Sequence, residues 1–122
     1  MHTPLTYNHM VVDELSDAEV DRLFQAFADT TRRDIVAKVT IGEQSVSELA
    51  SHYAMSFAAV QKHVAVLERA AVITKHKRGR EQIVRVRLDT IARARALLDI
   101  YEQIWRDRID RIDGLLSQDE KG

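Results

Sequence analysis

The sequence predicts a mainly α-helical domain carrying one small β-hairpin, and three observations lead there. Apolar residues recur at three- and four-residue steps in separate stretches along the chain, as one face of a helix requires. One pair of β-branched runs, "VITKHK" and "QIVRVRL", flanks the turn sequence "RGRE". The chain has 122 residues, 45% hydrophobic and 30% charged, which suits a single globular domain that needs no disulfide or metal to hold its core.

Taken in order, residues 1–14 contain the only Pro and no clear period, so a flexible N-terminal arm is expected. "SDAEVDRLFQAFAD" opens with Ser16 and Glu19 in the spacing of a capping box, and Val20, Leu23, Phe24 and Phe27 then share a face. A second helix over "TTRRDIVAKV" starts after a Thr cap, turns Ile35, Val36 and Val39 inward, and closes at Gly42. "SVSELASHYAM" gives a third helix capped near Ser47, burying Leu49, Ala50 and Tyr53. A few residues later the fourth begins after Ser56, with Val60, Val64 and Leu67 on its core stripe. Two short helices across a tight turn make a helix-turn-helix, although the turn lacks the Gly often found there. In the second strand of the hairpin, Val84, Val86 and Leu88 alternate with Arg85 and Arg87. Asp89 or Thr90 then caps a long helix of about 90–116. Helix, turn, helix, hairpin and terminal helix in this order form a winged helix-turn-helix, expected to span 15–118.

Composition narrows the function. The N-terminus has neither the basic nor the apolar region of a secretory signal, and no apolar run approaches the ~18 residues of a membrane span, so a cytoplasmic protein is expected. No cysteine is present, which excludes disulfides and thiolate metal sites. No Ser-His-Asp order, phosphate-cradling Gly loop or paired carboxylate site stands out, and His2, His9, His52 and His76 share no element at metal-ligand spacing. Neither an enzyme nor a bound cofactor is expected. The net charge of −1 conceals a segregation: residues 56–88 hold 8 Lys+Arg against 2 Asp+Glu, while residues 1–55 hold 4 against 9. A basic centre beside acidic flanks presents an electrostatic footprint to a polyanion, with a solvated charged hairpin as the bland alternative.

The fourth helix sharpens this. Opposite its core stripe lie Ala58, Gln61, Lys62, Ala65 and Arg69, and the first two turns contain no acid. Small residues keep the face low, Gln61 offers a bidentate amide suited to adenine, and Lys62 reaches guanine or phosphate. His63 lies beside the core stripe and either meets a phosphate or packs at the boundary, whereas Phe57 either touches a thymine methyl or covers the edge of the core. Arg32 and Arg33 open a helix, where cations oppose the dipole; an internal salt bridge to Asp29 or Asp34 is preferred to a phosphate contact.

From Val20 to Leu116 the sequence resembles the ArsR-type winged-helix repressors of bacteria. The matching pieces are "FADTTRRDIV", "SVSELA", "MSFAAVQKHVAVLERAAVI" and the wing "KHKRGREQIVRVRL". The resemblance implies a homodimeric repressor of a palindromic double-stranded DNA operator. By position it places Ser56, Phe57, Ala58, Gln61, Lys62 and His63 on the recognition helix and Lys77, Arg78 and Arg80 on the wing. Thr30 stands where the family usually has Pro, and Ala71 where a Gly commonly ends the recognition helix. Metal-responsive members resemble one another in a Cys-bearing segment where this chain reads "SVSELASHY", or carry Asp and His ligands on the terminal helix, which here has no His from Thr90 to Leu116. No metal ligand is therefore expected, and the effector is left open between a small molecule, a partner protein and none.

On the terminal helix Ile91, Ala94, Leu98, Tyr101, Trp105, Ile109, Ile112 and Leu116 form one apolar row, widened by Leu97, Ile100 and Ile104. A dimer seam is expected there, with Glu102–Arg106 and Asp107–Arg111 pairs beside it, and Leu98, Tyr101, Trp105, Ile109, Ile112 and Leu116 at its centre. The other class of function that fits is a winged-helix module that meets an acidic protein without specific DNA binding.

Overall fold

A computed structural model describes residues 15–121, with side chains through residue 118; the arm expected at 1–14 lies outside the described residues. The chain divides into two compact units, Leu15–Ala92 and a second whose described part starts at Arg93. In order the elements are α1 (Asp17–Phe27), α2 (Thr30–Ile41), β1 (Gln44–Ser45), α3 (Val46–Ala50), α4 (Phe57–Arg69), β2 (Ile73–Arg78), β3 (Glu81–Val86) and α5 (Leu88–Lys121). This is a winged helix-turn-helix: α3 and α4 form the motif, and β2 and β3 the wing.

In the first unit Leu23, Ile35, Leu49, Val60, Val64, Leu67, Val72, Ile73 and Val84 are almost fully buried, so every element from α1 to β3 except β1 gives an apolar side chain to one core. Ser16 caps α1 through the expected capping box with Glu19. The inward face of α1 is turned from the expected one: Leu23 and Ala26 are buried, while Phe24 is 44% exposed. Two caps also differ from expectation. Asp29, not a Thr, caps α2 by accepting from the Arg32 amide, and Ser45, not Ser47, caps α3 in a reciprocal box with Glu48.

Ser45 serves a second element at once. As part of β1 it lies opposite Ile83, so the sheet has three antiparallel strands in the order β1-β3-β2 rather than a hairpin alone. β3 is thus the central strand, and the simple alternation expected along it fails. Ile83 and Val84 are both buried because each face of the strand is covered at that point, whereas Leu88 has left the strand and is exposed.

The helix-turn-helix turn manages without Gly because, among the described residues, only Ala71 and Gly79 have positive φ. It is pinned from outside: Tyr53 Oη donates to Asp34 Oδ2 at 2.6 Å, and Lys38 Nζ reaches the same carboxylate oxygen while lying 5.4 Å from the Tyr53 ring centroid. Lys38 and the Tyr53 hydroxyl hold the Asp34 carboxyl below its usual range, and burial followed by the Asp34 hydrogen bond pushes the Tyr53 phenol up.

Ala71 carries the strain that its sequence position implies. Its φ is 61°, and the Ala71 and Val72 amides donate back to the carbonyls of Glu68 and Leu67 at 2.9 and 3.0 Å, the two bonds of a Schellman cap. Val72 and Leu67 are both buried, supplying the apolar contact that accompanies the motif. A left-handed L-residue costs about 1–2 kcal/mol, partly offset by the extra freedom a Gly would have in the unfolded chain. Ala71→Gly is therefore expected to stabilise the fold by roughly 0.5–1 kcal/mol. Chemical denaturation checks this; a midpoint equal to or below the parent's would count against it.

α5 starts at Leu88, ahead of the expected cap, with Asp89 in its first turn and the Arg87 guanidinium 2.7 Å from the Asp89 carboxylate. Leu97 and Ile100, expected in the second row of the dimer seam, are buried within the chain. Leu98, Tyr101, Ile104, Trp105, Ile109, Ile112, Leu115 and Leu116 remain exposed. Glu102 pairs with Arg106 at 2.9 Å as expected, whereas Asp107 accepts from Gln103. Among the described residues no helix is long and apolar enough to cross a membrane.

Candidate nucleic-acid interface

α4 presents the expected face. Val60, Val64 and Leu67 are buried, and Ala58, Gln61, Lys62 and Arg69 on the other side are exposed. Ser56 caps the helix by accepting from the Ala59 amide at 3.1 Å, and its first turn contains no acid. The partial positive charge at this end of the helix is therefore not neutralised from within its first turn, which favours phosphate nearby.

The two flanks of α4 differ. On one side His63 is half-buried, its Nδ1 3.7 Å from Asp29 Oδ2 and 3.4 Å from Arg32 Nη1. That packing ties α4 to the α1–α2 junction. The Arg32 amide is the chief group holding the Asp29 carboxyl below its usual range, with His63 and the Arg32 charge contributing less.

On the other flank Phe57 is 47% exposed and joins Gln61, Lys75, Arg80 and Gln82 around a groove of about 210 Å³ between α4 and the wing. Glu68, the one acid on α4, lies in its last turn, two turns below Gln61 on the same side, and meets Lys75 Nζ at 3.4 Å, fastening the helix to β2. Arg80 and the acid Glu81 both line this groove, while Lys62 on α4 and Lys77 on the wing are exposed outside its lining.

The wing turn is two residues long. Gly79 at its first position takes φ +64°, the conformation that a II′ hairpin turn demands there and that an L-residue resists. Lys77 and Arg80 have no ion-pair partner among the described residues. Arg78 is engaged, its Nη2 lying 2.8 Å from Glu43 Oε1. The other oxygen of Glu43 takes Arg85 Nε at 2.5 Å. Glu43 carries no periodic or motif signal in the sequence.

Arg32 and Arg33 do not form the expected salt bridges. Arg32 Nε and Nη2 donate to the carbonyls of Ala26 and Gln25, and Arg33 Nη1 donates to that of Phe27. α1 has no basic residue in its last turn, so cations from the next helix meet its negative end, the Gln25 carbonyl also accepting from the Ala28 amide.

Comparisons place this architecture. No family model matches the chain. Over 79 residues it is 35% identical to the HTH-type transcriptional regulator Rv2034 of Mycobacterium tuberculosis, covering 65% of this chain and 74% of that protein. Over 60 residues it is 30% identical to the transcriptional repressor SdpR of Bacillus subtilis, covering 49% and 67%. The solved structure of an ArsR-like transcriptional regulator from Rhodococcus sp. RHA1 aligns with a TM-score of 0.75 at 27% identity, covering 83% of this chain and 93% of that one. With its wing, its helix-turn-helix and these relatives, the chain belongs to the ArsR family of winged helix-turn-helix transcriptional regulators.

Proposed function

We propose that the chain is a homodimeric repressor acting in the cytoplasm, which binds a palindromic operator with the recognition helix at 56–70 in the major groove and the wing at 77–81 on the adjacent backbone. The observation that carries this reading is the low face of α4, free of acid over its first two turns, together with a wing whose Lys77 and Arg80 have no ion-pair partner among the described residues. Ser56 and the helix end position phosphate, Ala58 allows close approach, Gln61 reads a base edge, and Lys62 reaches guanine or phosphate. Phe57, at the rim of the groove, is placed for a thymine methyl. His63 contributes by holding the angle of α4. The exposed apolar face of α5, centred on Leu98, Tyr101, Trp105, Ile109, Ile112 and Leu116, is the seam with a second copy.

The test is recovery of the DNA bound in cells, followed by binding to the recovered site and to a scrambled duplex over a range of salt. A shared palindromic motif, bound more tightly than the scramble and with steep salt dependence, is expected. No common motif, together with salt-sensitive capture of an acidic protein, would favour the protein-interaction alternative.

A further inference from the structure

The wing holds five basic residues between Lys75 and Arg85 apart from His76, yet they are not equivalent. Lys75 is paired with Glu68, and Arg78 and Arg85 share the carboxylate of Glu43. Glu43 comes from the connection between α2 and β1, outside the wing, and its two oxygens are divided between the two arginines. We infer that Glu43 is an internal counter-anion, which occupies Arg78 in the free protein and competes with DNA phosphate for it. The inference rests on the DNA-binding reading given above.

Three features support an exchangeable contact rather than a fixed strut. The Arg78 side chain is 58% exposed and that of Glu43 37%, so water screens the pair and little desolvation holds it closed. Arg78 is the last residue of β2, next to Gly79 at the wing tip, the part of the wing that the DNA-binding reading sets against the backbone. Arg85 holds the second oxygen, so Glu43 keeps a partner when Arg78 leaves. The swap therefore replaces one carboxylate-guanidinium pair by a phosphate-guanidinium pair and strands no charge. Ionised Glu43 is itself favoured, because the Arg85 and then the Arg78 hydrogen bonds hold its carboxyl below the usual range.

Glu43→Gln tests the inference in the full chain. The substitution keeps shape and a hydrogen-bond acceptor while removing the charge. The variant is expected to denature like the parent and to bind a scrambled duplex several-fold more tightly at low salt, its salt slope steeper by about one counterion per protomer. Arg78→Ala, made in both backgrounds, separates a specific competition from a general charge effect. Its loss of affinity should be several-fold larger in Glu43→Gln than in the parent, because only there is Arg78 unopposed. Equal losses in the two backgrounds, or a Glu43→Gln variant that binds scrambled DNA no better than the parent, would overturn the inference. A parent that binds neither operator nor scrambled DNA would instead overturn the DNA reading on which it stands.

Discussion

Trp105→Asp is expected to yield monomers whose operator affinity is lower by a hundredfold or more. Trp105 is 57% exposed within one chain, as is Tyr101 one turn before it, and the apolar row runs on through Ile109, Ile112 and Leu116. The Arg108 guanidinium, 5.8 Å from the Trp105 ring centroid, covers only part of the indole. A contiguous face of this length in water is the mark of an interaction surface, and a second copy presents the same rows in reverse for an isologous pairing. A carboxylate placed in that seam would be buried without a partner, a larger penalty than lost packing alone. Losing the dimer turns a bivalent hold on two half-sites into two independent contacts, forfeiting an avidity of about 10²–10⁴. Because the side chain is exposed in the monomer, the fold itself should survive, which circular dichroism would verify. Sedimentation with operator binding is the measurement; a variant that remains dimeric at the parent's concentration would sink this interface.

The parts of the molecule that were legible in the sequence are those that repeat. Val60, Val64 and Leu67 recur at helical steps, so the sequence alone separates the buried and open faces of α4, and β-branched runs around Gly79 mark the wing. Ala71 was legible for a different reason, since an L-residue at the Gly position of a helix end implies a left-handed backbone, and φ is 61° there.

Features fixed by a single tertiary contact left no such trace. β1 is two residues long, too short to show a period, so its pairing with β3, which makes β3 the central strand, leaves no pattern in the sequence. The capping role of Arg32 depends on how α1 and α2 meet, because its guanidinium reaches back six and seven residues to the carbonyls of Ala26 and Gln25. Glu43 lies 35 residues from Arg78 and 42 from Arg85, so sequence spacing could not bring the three together. Asp29 and Asp34 are the acids nearest Arg32 and Arg33 in sequence, but the chain uses Asp34 elsewhere, to hold the motif's turn through Tyr53.

Helix and wing should separate when each is mutated. Gln61 is exposed on the low face of α4 and lines the groove toward the wing, where its amide can pair with the edge of one base. Gln61→Ala is expected to reduce discrimination at one position of each half-site by about 1–3 kcal/mol while binding to scrambled DNA survives. Arg80 lies at the wing tip without an ion-pair partner among the described residues, so its charge is available to the backbone. Arg80→Ala should weaken operator and scrambled duplex alike and flatten the salt slope by about 0.9 for each half-site. Arg78→Ala should do the same to a smaller extent, because Glu43 already engages that guanidinium at 2.8 Å and its exchange for phosphate gains less. Titrating the three variants against a panel of single-base operator changes at several salt concentrations distinguishes the roles. If Gln61→Ala weakened every duplex equally, the amide would be holding the backbone rather than reading a base; if Arg80→Ala left both duplexes bound like the parent, the hairpin would be a solvated turn and α4 alone would carry the contact.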